Sequence, residues 1–299
     1  MAKKVVPVKK ERFGFWHQTV LAAVVASLLL VVANTAIWAN RSIFDNDTFT
    51  KTAVTSITSD SSRQALADEI VARALQDRPV IQRVAGPTAT KLVSGLLASD
   101  QATNLLTKAV GRLQIYLTSK EHKTVTLDLS GVKNVLQTLL SVADKAGVNA
   151  NTDAASTQLG NVPDQLVLID GSTIPTFYSY GVALLWIAPI CVLLALGLLA
   201  MPYIRRKNQY TKISLIQGAI VVVFGCFALL LGPLLRPPVL ANVVSPNMRI
   251  VVGNLYNSFI SIFNGQTMVL IVLAAILMVA PTAVDKGLQF YRQRTAKKK

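Results

Sequence analysis

The stretch "TVLAAVVASLLLVVANTAIWANRSIFDNDTFT" (residues 19–50) sets a polar, charged turn directly after a long apolar run. Residues 19–39 carry no charge, and a helix needs about 20 apolar residues to cross a hydrocarbon core of roughly 30 Å. The run therefore predicts a membrane-spanning helix, with Trp38 at its headgroup end. The polar turn after it predicts an exit element that joins this anchor to a helical domain.

The composition indicates a protein embedded in a membrane. Of the 299 residues, 52% are hydrophobic and 15% are charged, against roughly 25% charged residues in a soluble domain. Three further uncharged segments follow, at 181–204, 213–235 and 267–284. The last is short, but the apolar helical pattern ahead of it can extend it. The predicted fold class is mainly α: a polytopic protein with four transmembrane helices and a helical extracytoplasmic domain between spans 1 and 2.

These segments divide the chain into nine predicted regions. They are a cytoplasmic basic tail (1–18), transmembrane helix 1 (19–39), the extracytoplasmic helical domain (40–180), transmembrane helix 2 (181–204), a cytoplasmic turn (205–212), transmembrane helix 3 (213–235), an extracytoplasmic amphipathic connection (236–266), transmembrane helix 4 (267–284) and a cytoplasmic basic tail (285–299).

The placement of the charges predicts the orientation. The net charge is +15, yet residues 40–180 contain 13 Lys/Arg and 13 Asp/Glu and are neutral. Of the other 17 basic residues, 15 lie in the two tails and in the turn at 205–212. Because Lys and Arg accumulate in cytoplasmic loops, both termini are predicted to be cytoplasmic and residues 40–180 to be outside.

The first apolar run is predicted to be a retained signal-anchor rather than a cleaved signal peptide. Its apolar core exceeds the roughly 7–15 residues of the hydrophobic region of a signal peptide. In addition, "ANTAIWAN" (33–40) offers no A-x-A cleavage site. The cysteines, Cys191 and Cys226, lie inside spans 2 and 3. The extracytoplasmic domain is therefore expected to be stable without a disulfide.

The extracytoplasmic domain shows the apolar period of packed helices. Apolar residues recur at intervals of three and four in the segments 59–75, 90–97, 99–117 and 130–143. The Ser/Asp pairs at 59–60 and 99–100, and Ser130, open three of these segments and are suitable N-caps. Two β-rich runs, 123–129 and 165–170, could pair as a small two-stranded ribbon. In the connection at 236–266, Pro246 is predicted to open an amphipathic helix that lies on the membrane face or against the domain.

Candidate catalytic and metal-binding groups are scarce. Asp45 and Asp47 suggest a cation site, but Thr48 stands where a third ligand of the calcium-loop template would fall. An N-cap for a helix starting near Thr48 is the favoured interpretation. His17 and His122 are not near a Ser or Cys in a recognised nucleophile motif. We therefore predict no catalytic residues, no metal site, no cofactor and no enzymatic activity.

The spans and the basic C-terminal tail predict lipid as a partner. The spans contain no ionisable residue, which makes a self-contained channel or transporter an unfavoured interpretation. The tail is predicted to bind anionic lipid rather than nucleic acid. Its basic residues are Lys286, Arg292, Arg294, Lys297, Lys298 and Lys299.

Three stretches occur in a distinctive order: "WANRSIFDNDTF" (38–49), "DSSRQALADEIVARAL" (60–75) and "VTLDLSGV" (125–132), followed by three spans. This order resembles a group of uncharacterised bacterial integral membrane proteins, common in actinobacteria, in which a tryptophan precedes an element like D-T-D-x-[YF]. Here the corresponding residues read D-N-D-T-F. The resemblance implies a bacterial plasma-membrane location and brings no activity or binding residues.

Three functions fit this layout. The favoured one is a non-enzymatic envelope scaffold or sensor that binds an envelope protein or other component through its extracytoplasmic domain. The alternative is a permease-like subunit of a mechanotransmitting ABC-type complex, which shares the order of one span, a large domain and three spans. The third is an enzyme acting on lipid or cell wall, which rests on location alone.

Overall fold

The computed structural model describes residues 9–74, 79–120, 125–128, 165–169, 177–205 and 209–296, which are almost entirely helical. The elements are α1 (Lys9–Ala39), a π-helical turn (Asn40–Phe44), α2 (Asn46–Ile57), α3 (Asp60–Ala74), α4 (Pro79–Leu97), α5 (Asp100–Thr118), β1 (Val125–Asp128), β2 (Gln165–Ile169), α6 (Tyr178–Arg205), α7 (Tyr210–Ala241) and α8 (Pro246–Ala296). Strands β1 and β2 pair antiparallel. The segment 130–143 with its cap Ser130 lies outside the described residues.

Four helical stretches are long and apolar enough to cross a membrane: Trp16–Phe44, Tyr178–Arg205, Tyr210–Ala241 and Pro246–Val284. Each contains one of the apolar segments predicted from the sequence. The protein is therefore a multi-pass membrane protein. Large apolar side chains on these helices are exposed, such as Leu193 at 70% and Trp186 at 68%. A lipid environment accounts for such exposure, since hydrocarbon solvates these side chains.

The chain divides into two compact units. The first, here called the membrane unit, comprises residues 1–40, 183–237 and 260–299. The second, here called the interspan domain, comprises residues 41–182 and 238–259.

Within the membrane unit, glycines on one face of α7 allow α8 to pack closely against it. Gly218, Gly225 and Gly232 are spaced seven residues apart, which places them on the same side of a helix. A Cβ atom built on Gly225 would lie 2.5 Å from Ile271 Cγ1, and one built on Gly232 would lie 2.8 Å from Ile260 Cγ2. Small residues give helices in a membrane the close approach that dispersion forces require.

Polar side chains of the spans make helix contacts. Asn34 Nδ2 donates to Thr267 Oγ1 at 2.9 Å, and Gln217 Nε2 donates to Leu199 O at 3.0 Å. Each bond joins two different helices of the unit. An unbonded polar group in hydrocarbon costs several kcal/mol, so these pairs specify which helix faces meet.

The interspan domain has a small core where α2 meets α5. Ala53, Val54 and Val110 are buried there, and five partly buried side chains surround them: Phe49, Ile57, Leu106, Leu255 and Phe259. The last two belong to the first turns of α8. The rings of Phe49 and Phe259 have centroids 5.4 Å apart. The start of the predicted amphipathic helix at Pro246 therefore packs against the domain.

The end of the π-helical turn is fixed by one buried amide. Gln114 is 2% exposed, and its Nε2 donates to Ile43 O at 2.9 Å and to Phe44 O at 3.1 Å. Its Oε1 accepts from Asn46 Nδ2 at 2.7 Å, and the same nitrogen donates to Gly111 O at 3.2 Å. The turn's carbonyls, which a helix end leaves without partners, are thus satisfied by α5.

The start of α6 packs against the same π-helical turn. A Cβ on Gly181 would lie 2.5 Å from Phe44 Cδ1, so the Phe44 ring occupies the space that any larger residue would need. Phe177 N donates to Leu117 O at 2.7 Å, which joins α6 to the last turn of α5. Within the domain, one short stretch around Phe44 is thus held by both α5 and α6.

Two of the three predicted N-cap positions lie in the described residues, and they differ. Ser99 Oγ accepts from Ala102 N at 3.2 Å and caps α5 as expected. Ser59 Oγ instead donates backward to Ser56 O at 2.8 Å, and it lies within hydrogen-bond distance of Ser62 Oγ, at 3.0 Å. The prediction for Ser59 was therefore wrong, because α2 ends only two residues earlier and its free carbonyls compete for the hydroxyl.

The glycine contacts of α7 yield a stability prediction. Gly225→Leu places a side chain where Ile271 already lies, so we expect a loss of roughly 1–3 kcal/mol from overpacking and a lower thermal midpoint in detergent. Gly197→Leu on α6 is the matched control, since among the described residues no atom beyond its own stretch of helix lies within 4 Å of a Cβ there. Equal midpoints for the two variants, measured by circular dichroism, would contradict the packing described.

Candidate functional site

An open groove runs between α2 and α5 in the interspan domain. Its volume is about 680 Å³, which falls within the range of roughly 300–1,000 Å³ typical of ligand sites. The lining positions on α2 are 46, 47, 50, 51, 54 and 55, and those on α5 are 107, 108, 111, 112 and 115. Spacing of three and four residues puts each set on one helix face. The groove is therefore built from two facing helical stripes.

The floor of the groove is uncharged. Thr50 and Val54 are each 8% exposed. A Cβ on Gly111 would lie 3.5 Å from Thr50 Oγ1, in ordinary van der Waals contact, so a side chain longer than alanine would fill the floor. Ile115, by contrast, is 55% exposed and gives the groove an apolar wall.

The charges around the groove are mainly positive. Lys51, Lys108 and Arg112 line it together with one acid, Asp47. Lys108 and Arg112 are four residues apart on α5, which brings their side chains to the same side of the helix. Among the described residues, neither Lys51 nor Lys108 forms an ion pair. This arrangement attracts anions.

The hydroxyl of Thr50 is buried in the groove floor without a hydrogen-bond partner in the described part of the chain. Helical Ser and Thr hydroxyls often donate to the carbonyl four residues earlier. In this domain Ser56 Oγ does so to Thr52 O at 2.7 Å, and Thr118 Oγ1 does so to Gln114 O at 2.8 Å. Leaving a buried hydroxyl unbonded costs about 1–3 kcal/mol, so Thr50 Oγ1 is a polar group that a ligand could satisfy.

The predicted Asp45–Asp47 cluster divides into two roles. Asp45 Oδ1 accepts from Thr48 N at 2.9 Å and caps α2, which confirms the N-cap interpretation. The helix itself begins at Asn46, two residues before the predicted start. Asp47 lies at the groove instead. The described residues contain no group of three or more metal-ligating side chains.

Of the remaining residues singled out in the sequence, those that the structure describes belong to α1 and α8 and do not line the groove. His17 is exposed on α1 and Lys286 is exposed on α8. Arg292 and Arg294 belong to the last turns of α8. His122, Lys297, Lys298 and Lys299 lie outside the described residues.

Apart from Asp47, the residues that line the groove were not predicted from the sequence. The apolar period of α5 indicates the face of that helix that packs in the core, whereas the groove is lined by mostly polar and charged residues beside that face. One signal was present in the sequence: "LTKAVGRLQI" (106–115) sets Lys108 and Arg112 on one face of a helix, with Gly111 between them.

A second polar arrangement joins α3 to the start of α8. Glu69 Oε2 accepts from Ser245 Oγ at 2.5 Å and from Asn247 Nδ2 at 3.4 Å, and its Oε1 accepts from Arg73 Nε at 2.8 Å. The hydrogen bond from Ser245, followed by that from Arg73, lowers the pKa of Glu69 below its ordinary value. The carboxylate lies at the N-terminal end of α8, where the helix dipole favours a negative charge. Both of its oxygens are engaged, so we assign it to fastening the two helices together.

No family model, curated protein or solved structure matches this chain. What the groove can bind follows from its own shape and charge. Positive side chains, a buried hydroxyl and an exposed apolar wall together fit a ligand that carries an anionic group beside an apolar part.

The Glu69 contacts predict how stability depends on pH. The pKa of Glu69 is lowered in the folded protein. Its contribution to the free energy of unfolding is therefore complete above the ordinary glutamate pKa and is lost as the pH falls through the lowered pKa. We expect Glu69→Gln to lower the thermal midpoint at pH 7 and to flatten its decline toward pH 4.

The matched control for this pH series is Asp68→Asn. That carboxylate accepts from Gln64 Nε2 at 3.5 Å on the same helix, away from the start of α8. We expect Asp68→Asn to keep the pH dependence of the wild-type protein. A Glu69→Gln midpoint that declines as steeply as the wild-type midpoint would contradict the role assigned to Glu69.

Proposed function

We propose that this is a bacterial plasma-membrane protein whose interspan domain lies outside the cell and binds an envelope component. The protein acts as a scaffold or sensor and performs no chemical reaction. The proposal rests on the groove between α2 and α5, which has three basic side chains on its walls and, in its floor, a hydroxyl without a partner among the described residues. The neutral composition of residues 40–180 and the basic tails support the orientation.

The two helices that form the groove are joined by hydrogen bonds and by packing. Gln114 and Asn46 hydrogen-bond across the end of the groove, and the Ala53–Val54–Val110 core lies where the same two helices meet. Binding sites on fixed helices lose little conformational entropy when a ligand binds. A groove with such support suits recognition of a specific envelope molecule.

The permease-like alternative receives less support from the chain. Helix α6 ends at Arg205 and α7 begins at Tyr210, which leaves little length for a segment that docks on a cytoplasmic ATPase. The basic C-terminal residues, from Lys286 to Lys299, are proposed to hold the tail on anionic lipid at roughly 1 kcal/mol per basic residue.

Cysteine labelling in cells tests both the orientation and the occupancy of the groove. In a background that lacks Cys191 and Cys226, single cysteines replace three exposed residues: Thr55 at the groove, Gln64 on α3 and Gly287 near the end of α8. A membrane-impermeant maleimide is applied to intact cells and to purified protein. We expect rapid labelling of Gln64→Cys in cells and none of Gly287→Cys.

The labelling rate at Thr55→Cys, which lies at the groove, tests whether a ligand covers the groove in cells. We expect Thr55→Cys to react more slowly in cells than in purified protein, because an envelope component covers it, while Gln64→Cys reacts equally in both. Equal rates for Thr55→Cys in the two settings would contradict an envelope ligand at the groove. Labelling of Gly287→Cys in cells would overturn the orientation.

A further inference from the structure

We propose that the ligand of the α2–α5 groove is a phosphate-bearing amphiphile, a lipid whose phosphate is bound by Lys51, Lys108 and Arg112. The inference rests on the proposed function, since it names the chemistry of the component that the same groove binds. The phosphate accepts a hydrogen bond from the Thr50 hydroxyl, and the apolar part of the lipid covers Ile115.

The position of Thr50 relative to the basic residues supports a phosphate. Gly111 faces the Thr50 hydroxyl, and Lys108 and Arg112 flank Gly111 within one turn of α5. Lys51 follows Thr50 directly on α2. A phosphate oxygen at the groove floor would therefore lie beside the Thr50 hydroxyl and near the side chains of Lys51, Lys108 and Arg112. Charge-assisted bonds of this kind are the strong ones, and a guanidinium matches the geometry of a phosphate.

The apolar wall favours a lipid over a free phosphate ion. Ile115 lies three residues after Arg112 on α5 and is 55% exposed beside the charged part of the groove. An inorganic ion bound by the basic residues would leave this side chain in water. An amphiphile covers it, and the apolar area removed from water adds to affinity. The volume of about 680 Å³ also exceeds what a small ion requires.

The test measures binding of monomeric dihexanoyl phosphatidic acid to the full-length protein in nanodiscs of zwitterionic lipid. Dihexanoyl phosphatidylcholine and inorganic phosphate are the comparison probes. We expect phosphatidic acid to bind about tenfold tighter than either, because only it combines an accessible anionic phosphate with an apolar part. Inorganic phosphate binding as tightly as phosphatidic acid would overturn the assignment to a lipid.

Charge variants locate the bound phosphate. Lys51→Glu and Lys108→Glu are each expected to weaken binding of phosphatidic acid about tenfold. Lys91→Glu is the matched control: it makes the same charge change at an exposed position on α4 of the same domain, outside the groove. We expect its affinity to stay within about twofold of the wild-type value. If the control weakens binding as much as the groove variants do, attraction is non-specific and the site is wrong.

Thr50→Val separates a binding role from a structural one. Removing an unpartnered buried hydroxyl is expected to leave the thermal midpoint unchanged or higher, while binding of phosphatidic acid weakens several-fold. A lower midpoint with unchanged binding would overturn the role of Thr50.

The two proposals can fail separately. Absence of phosphatidic acid binding with persistent protection of Thr55→Cys in cells would refute the lipid and leave the envelope ligand standing. Binding of phosphatidic acid in nanodiscs without protection of Thr55→Cys in cells would refute the envelope ligand and leave the lipid-binding chemistry of the groove standing.

Discussion

The buried amide of Gln114 joins the end of the first span's π-helical turn to helix α5. It donates to two carbonyls of that turn and accepts from Asn46 on α2. Because α2 begins immediately after the turn, these bonds fix the position of α2 along α5. The facing stripes of the groove depend on that position, since a shift of one helical turn would move Thr50 away from Gly111. The groove and the placement of α2 on α5 within the interspan domain thus depend on one set of hydrogen bonds.

The two units are stabilised by different physical means. In the membrane unit, where lipid is as apolar as the side chains, close packing at Gly225 and hydrogen bonds such as Asn34–Thr267 select the helix contacts. In the interspan domain, a small apolar core is supplemented by polar contacts between distant segments, including Glu69 with Ser245. The described part of this domain also holds three buried polar atoms without a partner, Ser42 Oγ, Arg63 Nε and Thr50 Oγ1, and of these Thr50 Oγ1 lies at the groove.

Much of the fold could be predicted because its signals are local. Each span is a continuous apolar run, and the Asp45 and Ser99 caps act within three residues of their own helices. The groove and the polar contacts could not be predicted in this way. Gln114 and Ile43 are 71 residues apart, and a single polar side chain carries no periodicity that identifies its partner. Ser59 shows the opposite error, since a local rule failed when a neighbouring helix end offered a competing acceptor.

A double-mutant cycle on Asn46→Ala and Gln114→Ala tests the central claim most directly. The free energy of unfolding is measured for the wild-type protein, both single variants and the double variant in the same detergent. Residues that share a hydrogen-bond network show coupling of roughly 0.5–3 kcal/mol. We expect coupling of about 1 kcal/mol or more, with the second substitution costing little after the first. Additive losses, within about 0.3 kcal/mol, would mean that the two side chains act independently and that this network does not position helix α5.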